Sequence, residues 1–239
     1  MRKPLASKLH EDFPAPPFEG FAPGAFTFFK MLKQNQDKTW FAAHKAQYEA
    51  EVTAPMGALV CELSARFAKA GLSLQGDAKR SLFRINRDVR FSNDKSPYKT
   101  HAGAVMTRTG EKNSPGLLYI HLDPEGCFMA AGFYHPEPAD LQILREGIVH
   151  HAAAWVKLEK ALAGHGLALS RDDTLIRPPK GFEVDDEEIL AALKLKSWVV
   201  KRELTQGEMR EAGLVQTIME FALAVSPVLK FGWTRLGVG

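Results

Sequence analysis

The pattern of apolar positions divides the chain into two helical blocks around a block of strands. Pro23 opens a run in which Phe26, Phe28, Phe29 and Leu32 recur near helical spacing. Asn35-Gln36-Asp37 ends it, and Asp37 is placed to cap the next helix, DKTWFAAHKAQYEAEV, which carries Trp40, Phe41, His44 and Tyr48. Pro55 either interrupts this helix or starts another at its first turn. From Met56 to Ala70 the residues Leu59, Val60, Leu63, Phe67 and Ala70 fit a 3.6-residue period, and Gly71 is a natural stop. The period then falls to two. Thr100–Arg108, Leu117–Asp123 and Cys127–Tyr134 read as strands, with Leu118, Ile120 and Leu122 alternating with Tyr119, His121 and Asp123. Asp123-Pro-Glu-Gly126 is a turn signal that makes the last two a hairpin. Helices return over Glu137–His151 and Ala152–Leu162. A candidate short strand at Leu167–Ser170, a short helix at Asp185–Leu193 and a strand at Ser197–Leu204 follow. The closing helix, Glu208–Phe231, carries Leu214, Ile218, Phe221, Ala222, Val225 and Leu229 as one core-facing stripe.

This order predicts a single α+β domain over residues 21–239, mainly an antiparallel sheet covered by helices. A strict strand–helix–strand alternation is missing, which argues against a dinucleotide fold. Residues 1–20 hold Pro4, Pro14, Pro16 and Pro17 without periodicity, and read as an extended or disordered arm. A composition of 45% hydrophobic and 25% charged residues is that of a globular chain. Cys61 and Cys127 form no CxxC pair, so free thiols in a reducing compartment are expected rather than a disulfide framework. The N-terminus has no apolar core that would make it a secretory signal, and no apolar run approaches 18 residues, so a cytoplasmic protein without a membrane span is expected.

Charge changes the picture at one place. From Ala78 to Arg108, eight Lys or Arg stand against Asp88 and Asp94, a net +6, whereas the whole chain carries only +3. If Leu82–Phe91 is helical, Arg80, Arg84, Arg87 and Arg90 cluster on one broad face; if it is extended, Phe83, Ile85, Val89 and Phe91 fall on one side and Arg84, Asn86, Asp88 and Arg90 on the other. Arg87 then sits on the apolar side and needs a carboxylate partner, unless the strand ends there. A turn at Asn93-Asp94 and Ser96-Pro97 would present Lys95, Tyr98 and Lys99. Guanidinium forks match phosphate and carboxylate oxygens, so Arg84, Arg87, Arg90, Lys95 and Lys99 are candidate anion contacts. The alternative is an internal ion-pair network built on Asp88 and Asp94. Arg177 and Lys180, on the proline-stiffened loop RPPKG, are either further anion contacts or solvated charges.

Catalytic candidates are few. Asp88 is placed to orient an arginine or act as a base. Tyr98 and His121 are acid/base candidates, and His101 can approach His121 if the strands pair. Trp40, Phe41, His44 and Tyr48 read as helix core or a pocket wall. There is no GxxxxGK[ST], GxGxxG or GxSxG motif, so neither a glycine-rich phosphate cradle nor a nucleophile elbow is present. The eight histidines include no HxH and no HExxH, and neither a metal site nor a cofactor is expected from spacing. Phe83, Phe91 and Tyr98 interleave the basic residues, but their parity points inward, which weakens a base-stacking platform.

The stretch FRINRDVRFSNDKSPYKTHAGAV resembles the signature of the uncharacterised bacterial and fungal family DUF2461. FEGFAPGAFTFFKMLKQNQDKTWFAAHKAQYE, GLLYIHLDPEGCFMAAGFYHPEP and RPPKGF extend the resemblance over nearly the whole chain after residue 20. Asn86 departs from it, at a position where the family commonly has an aromatic residue. The resemblance implies no established activity and transfers no catalytic residue. The leading expectation is therefore a protein that binds an anionic, phosphate- or carboxylate-bearing small molecule, as a binder or as an enzyme. The alternatives are a nucleic-acid-binding or -processing protein using the same basic face, and a structural module whose charges are internally paired.

Overall fold

The computed structural model describes residues 16–238. Most of the arm expected over residues 1–20 thus lies outside the described residues. Residues 16–20 form neither helix nor strand, and Phe18 is buried in the core while its backbone N–H donates to Glu62 Oε2 at 2.9 Å.

The first helical block follows the apolar period. Helix α1 (Pro23–Gln34) starts at its proline and buries Phe26, Phe28, Phe29 and Leu32. Helix α2 (Lys38–Tyr48) is capped by Asp37, whose side chain accepts from the Trp40 N–H at 2.8 Å. A π-helical turn, Glu49–Thr53, leads directly into α3 (Ala54–Lys69). Pro55 supplies the cause: it has no N–H for the Glu51 carbonyl and its ring crowds that carbonyl, so the preceding turn widens. Gly71, at φ 67°, ends the helix in the left-handed region.

Four strands follow: β1 (Ala102–Thr107), β2 (Leu117–Leu122), β3 (Cys127–Phe133) and β4 (Trp198–Leu204). They form one antiparallel sheet in the order β1-β2-β3-β4. Between β3 and β4 the chain makes α4 (Pro138–His150), α5 (Ala152–Gly164) and α6 (Glu187–Leu193). After β4 come a short α7 (Gln206–Met209) and the long α8 (Leu214–Leu236). The fold is thus a single-layer antiparallel sheet with helices, the α+β class expected.

The register sorts the sheet into two faces. Ala104, Ile120 and Met129 align across β1, β2 and β3, as do Leu118, Ala131 and Val200 across β2, β3 and β4; all are buried in the core. Helix α8 packs on β3 and α3 on β1. The other face carries Gly103, Val105, Tyr119, His121, Phe128, Ala130, Val199 and Lys201. Leu214–Leu236 is long and apolar enough by composition to cross a bilayer, with a mean hydropathy of 1.4 in its most apolar window. In this fold it is a core helix, burying Ile218, Ala222, Val225 and Leu229 among others.

Both sheet edges are covered by irregular chain. Gln75 and Leu82 bridge to Thr107 and Ala104 along the free edge of β1, and Leu169 bridges to Val200 along β4. Two sequence expectations are corrected here. Leu167–Ser170 contributes that one bridge rather than a strand. Leu82–Phe91 is likewise extended without becoming one: its bridges are Leu82 to Ala104 and Asn86 to Tyr98. Its side-chain parity fails accordingly, for Ile85 is buried while Phe91 is 95% exposed.

Candidate functional site

The uncovered sheet face is the floor of a cleft of about 660 Å³. Val105, Leu117, Ala130 and Val199 make the floor apolar, and Gly103 leaves room on it for the Tyr119 ring: a Cβ there would stand 2.4 Å from Tyr119 Oη. One wall comes from the β1 edge and carries Phe83, Lys99 and Lys112. The opposite wall carries Tyr134, His135, Ser170, Asp172 and Asp173. A volume of this size, an apolar floor and a few polar groups are the usual attributes of a small-molecule site.

The basic wall is unevenly neutralised. Lys99 Nζ lies 5.5 Å and Lys112 Nζ 4.8 Å from the centroid of the Phe83 ring, and neither is in an ion pair among the described residues. Burial pulls the Lys99 ammonium below its ordinary range, and the charges of Arg84 and Lys112 pull it further. Burial also pulls Lys112 down. A third lysine, Lys201, sits over the Phe128 ring at 4.4 Å and pairs with Glu203 at 2.6 Å. The far wall is closer to self-satisfied: Asp172 accepts from Ser170 Oγ at 2.8 Å, and Asp173 pairs with Lys196 at 2.6 Å.

Beside this wall the strand pairing brings His101 up to His121, as expected, and Tyr119 and Asp123 join them in one cluster. His101 and His121 lie with ring centroids 4.6 Å apart. Tyr119 Oη is 2.9 Å from His121 Nδ1, and His121 Nε2 is 3.7 Å from Asp123 Oδ2. The pairing explains it. His121 and Asp123 are two apart at the end of β2, so they share a face, and the antiparallel register sets His101 across from them. Burial holds the His121 imidazole down to about 4, with the neighbouring His101 adding to the effect. His101 is lowered as well, chiefly by burial. Burial pushes the Tyr119 hydroxyl up to about 12. At neutral pH the His121 ring and the Tyr119 phenol are therefore both neutral.

The residues expected from the sequence are placed as follows. Lys99 lines the cleft, Arg84 is near enough to act on its charge, and His121 belongs to the adjoining cluster. Arg87 meets the need for a partner in Asp94, whose carboxyl is held well below the usual carboxylate range first by the Ser96 side chain and then by the Arg87 guanidinium. Arg90 pairs with Asp88 at 2.7 Å, which lowers the Asp88 carboxyl and makes it a poorer base. Lys95 Nζ donates to the Val89 carbonyl at 3.0 Å, closing the same loop on itself. Tyr98 is buried, with its ring stacked on Phe41 at 4.5 Å, on the helix side of the molecule. Arg177 and Lys180 are exposed on their loop and do not line the cleft. The charge run thus splits into a self-paired loop and a short unpaired wall. Lys112 and Tyr119 were not anticipated; a lysine in the β1–β2 turn and an aromatic on the outer parity of β2 were the signals available.

A family model described as "Conserved hypothetical protein (DUF2461)" matches residues 24–231, most of the chain. The chain therefore belongs to this family. No curated protein and no solved structure matches it.

Proposed function

We propose that this DUF2461 protein binds an anionic small molecule, with its carboxylate or phosphate group against Lys99 and Lys112 and its apolar body over the sheet face. The observation that carries the reading is the lysine pair itself. Two ammonium groups share one aromatic ring, Lys99 half-buried and Lys112 exposed with its Nζ donating to the Leu82 carbonyl at 2.5 Å, and neither is in an ion pair among the described residues. Such a pair is a standing cost that an anion removes. Val105, Leu117 and Val199 supply the apolar contact that a bare inorganic ion would not use. Of the anion contacts expected from the sequence the reading keeps Lys99 and Arg84, sets aside Arg87, Arg90 and Lys95, and adds Lys112.

A second reading, the internally paired network, is favoured for the loop by the pairs Arg80–Asp77, Arg80–Glu111, Arg87–Asp94 and Arg90–Asp88. The two readings describe different residues and separate in one experiment. A thermal-shift screen with phosphate, nucleotides and dicarboxylates is run on wild type, Lys99→Ala and Arg87→Ala. A ligand in the cleft raises the wild-type and Arg87→Ala midpoints but not that of Lys99→Ala. No shift at millimolar ligand in any of them sinks the anion site. Filter binding to DNA and RNA at two salt concentrations tests the nucleic-acid alternative, which requires binding that falls steeply with salt.

A further inference from the structure

We propose that His101, His121 and Asp123 form a binding site for a divalent first-row transition ion of the zinc type. The nitrogen and carboxylate atoms these three residues offer all lie within 4.8 Å of one another. In a tetrahedral site with bonds of about 2.0–2.1 Å, ligand atoms are about 3.3 Å apart. His121 Nε2 and Asp123 Oδ2, at 3.7 Å, are too far apart for a hydrogen bond and close to that spacing. Small side-chain rotations complete the set.

The surroundings orient the ligands as metal sites require. Tyr119 Oη meets His121 Nδ1 at 2.9 Å, so the tautomer that donates from Nδ1 to Tyr119 leaves the Nε2 lone pair facing Asp123. Asp123 is fixed at the other oxygen: its Oδ1 accepts the Glu125 N–H at 2.8 Å, which turns Oδ2 toward His121. Phe128 stacks on the His121 ring at 4.5 Å and limits its rotation. All three ligands are half-buried, in a partly dry environment that favours coordination over hydration. Two imidazoles and one carboxylate leave at least one coordination position for water or substrate, the composition of catalytic rather than closed structural sites. His101 also lines the cleft, so the site borders the place where a ligand would lie. The inference stands on this geometry and does not depend on the anion reading.

The test uses the full chain, purified without a histidine tag, stripped with chelator and titrated with Co²⁺ and Zn²⁺. Wild type binds about one equivalent, gains the visible absorption of protein-bound Co²⁺, and melts higher with Zn²⁺. His101→Asn and Asp123→Asn each weaken binding by about tenfold or more, and a His150→Asn/His151→Asn variant, altered outside the cluster, binds as wild type. Circular dichroism checks that the variants fold. If a variant does not fold, Co²⁺ added to wild type reads the site directly, by selective paramagnetic broadening of the His101 and His121 ring resonances. Binding weaker than about millimolar, unchanged binding by the folded variants, or broadening centred on other histidines overturns the proposal.

Discussion

Lys99 is the residue on which the functional reading can be weighed most directly. Its ammonium is half-buried, like-charged with Lys112 and Arg84, and drawn below its ordinary range. A folded-state value below the unfolded one means that the unfolded chain holds this proton more tightly, so the protonated group costs stability. That cost is at full size at neutral pH, shrinks as pH rises through the lowered folded value, and is gone above the unfolded value of 10.5. Lys99→Met, which keeps an unbranched apolar stem over Phe83, is therefore expected to melt higher than wild type by roughly 1–2 °C at pH 7. Thermal melts across a pH series should show the gap closing toward pH 10.5; a lower midpoint for Lys99→Met at pH 7 would contradict the account. Arg87→Ala should behave oppositely. Arg87 is tied to Asp94 in a solvent-facing loop, so its loss is expected to cost no more than about 1 kcal/mol in urea unfolding. It should also leave the ligand response of the cleft untouched. At this scale the sequence showed that Arg87 required a carboxylate. It did not show that Asp94 would satisfy it, because that depends on a loop folding back on itself.

At the scale of elements, the helices were largely legible because their caps and period agree. Asp37→Ala removes the side chain that accepts the Trp40 N–H at the start of α2 and is expected to cost about 1 kcal/mol, measured by urea unfolding. The long C-terminal helix was less so. Glu208–Phe231 was expected as one helix. Instead Thr205 and Glu208 form a capping box for α7, the chain breaks, and α8 runs on to Leu236. Gly232, just past the expected end, is no stop signal: it gives space to Phe133, which would lie 2.3 Å from a Cβ. The strands were found by alternation, but which outer-face residues meet is a matter of register, and no single strand states it. Gly103 illustrates this. It pairs directly with His121, and its missing side chain is what lets Tyr119 reach the His121 ring. Gly103→Ala should displace Tyr119 at a cost of about 1–3 kcal/mol. It should also weaken Co²⁺ binding about tenfold while leaving the ligand residues intact. Wild-type affinity in a folded Gly103→Ala protein would remove Tyr119 from the site.

For the molecule as a whole, the decisive asymmetry is that α3 and α8 pack on one face of the sheet while the other face forms the floor of a cleft. Composition and period specify the covered face, since it is where the apolar residues must go. They say little about the open face, whose residues are a mixture that reads in sequence as ordinary strand surface. The segment that borders the open face is held by few backbone hydrogen bonds. Between Phe83 and Lys99, backbone bonds to the rest of the fold or across the loop come from Phe83 N–H to Gly103, Arg87 N–H to Pro97 and Lys99 N–H to Ile85. Beyond these, the Tyr98 N–H donates to Gln36 Oε1 and Ile85 and Tyr98 are buried in the core, while the ion pairs Arg87–Asp94 and Arg90–Asp88 tie the loop only to itself. Local opening free energy follows buried contact and protected hydrogen bonds, so this segment should open far more readily than β2 and β3. Hydrogen exchange is expected to reach residues 84–96 well before the central strands. A cleft ligand held by Lys99 should then slow exchange at both ends of that segment without changing β3. If residues 84–96 exchange as slowly as β3 in the free protein, the wall is rigid, and the cleft must admit ligands without any movement of its basic side.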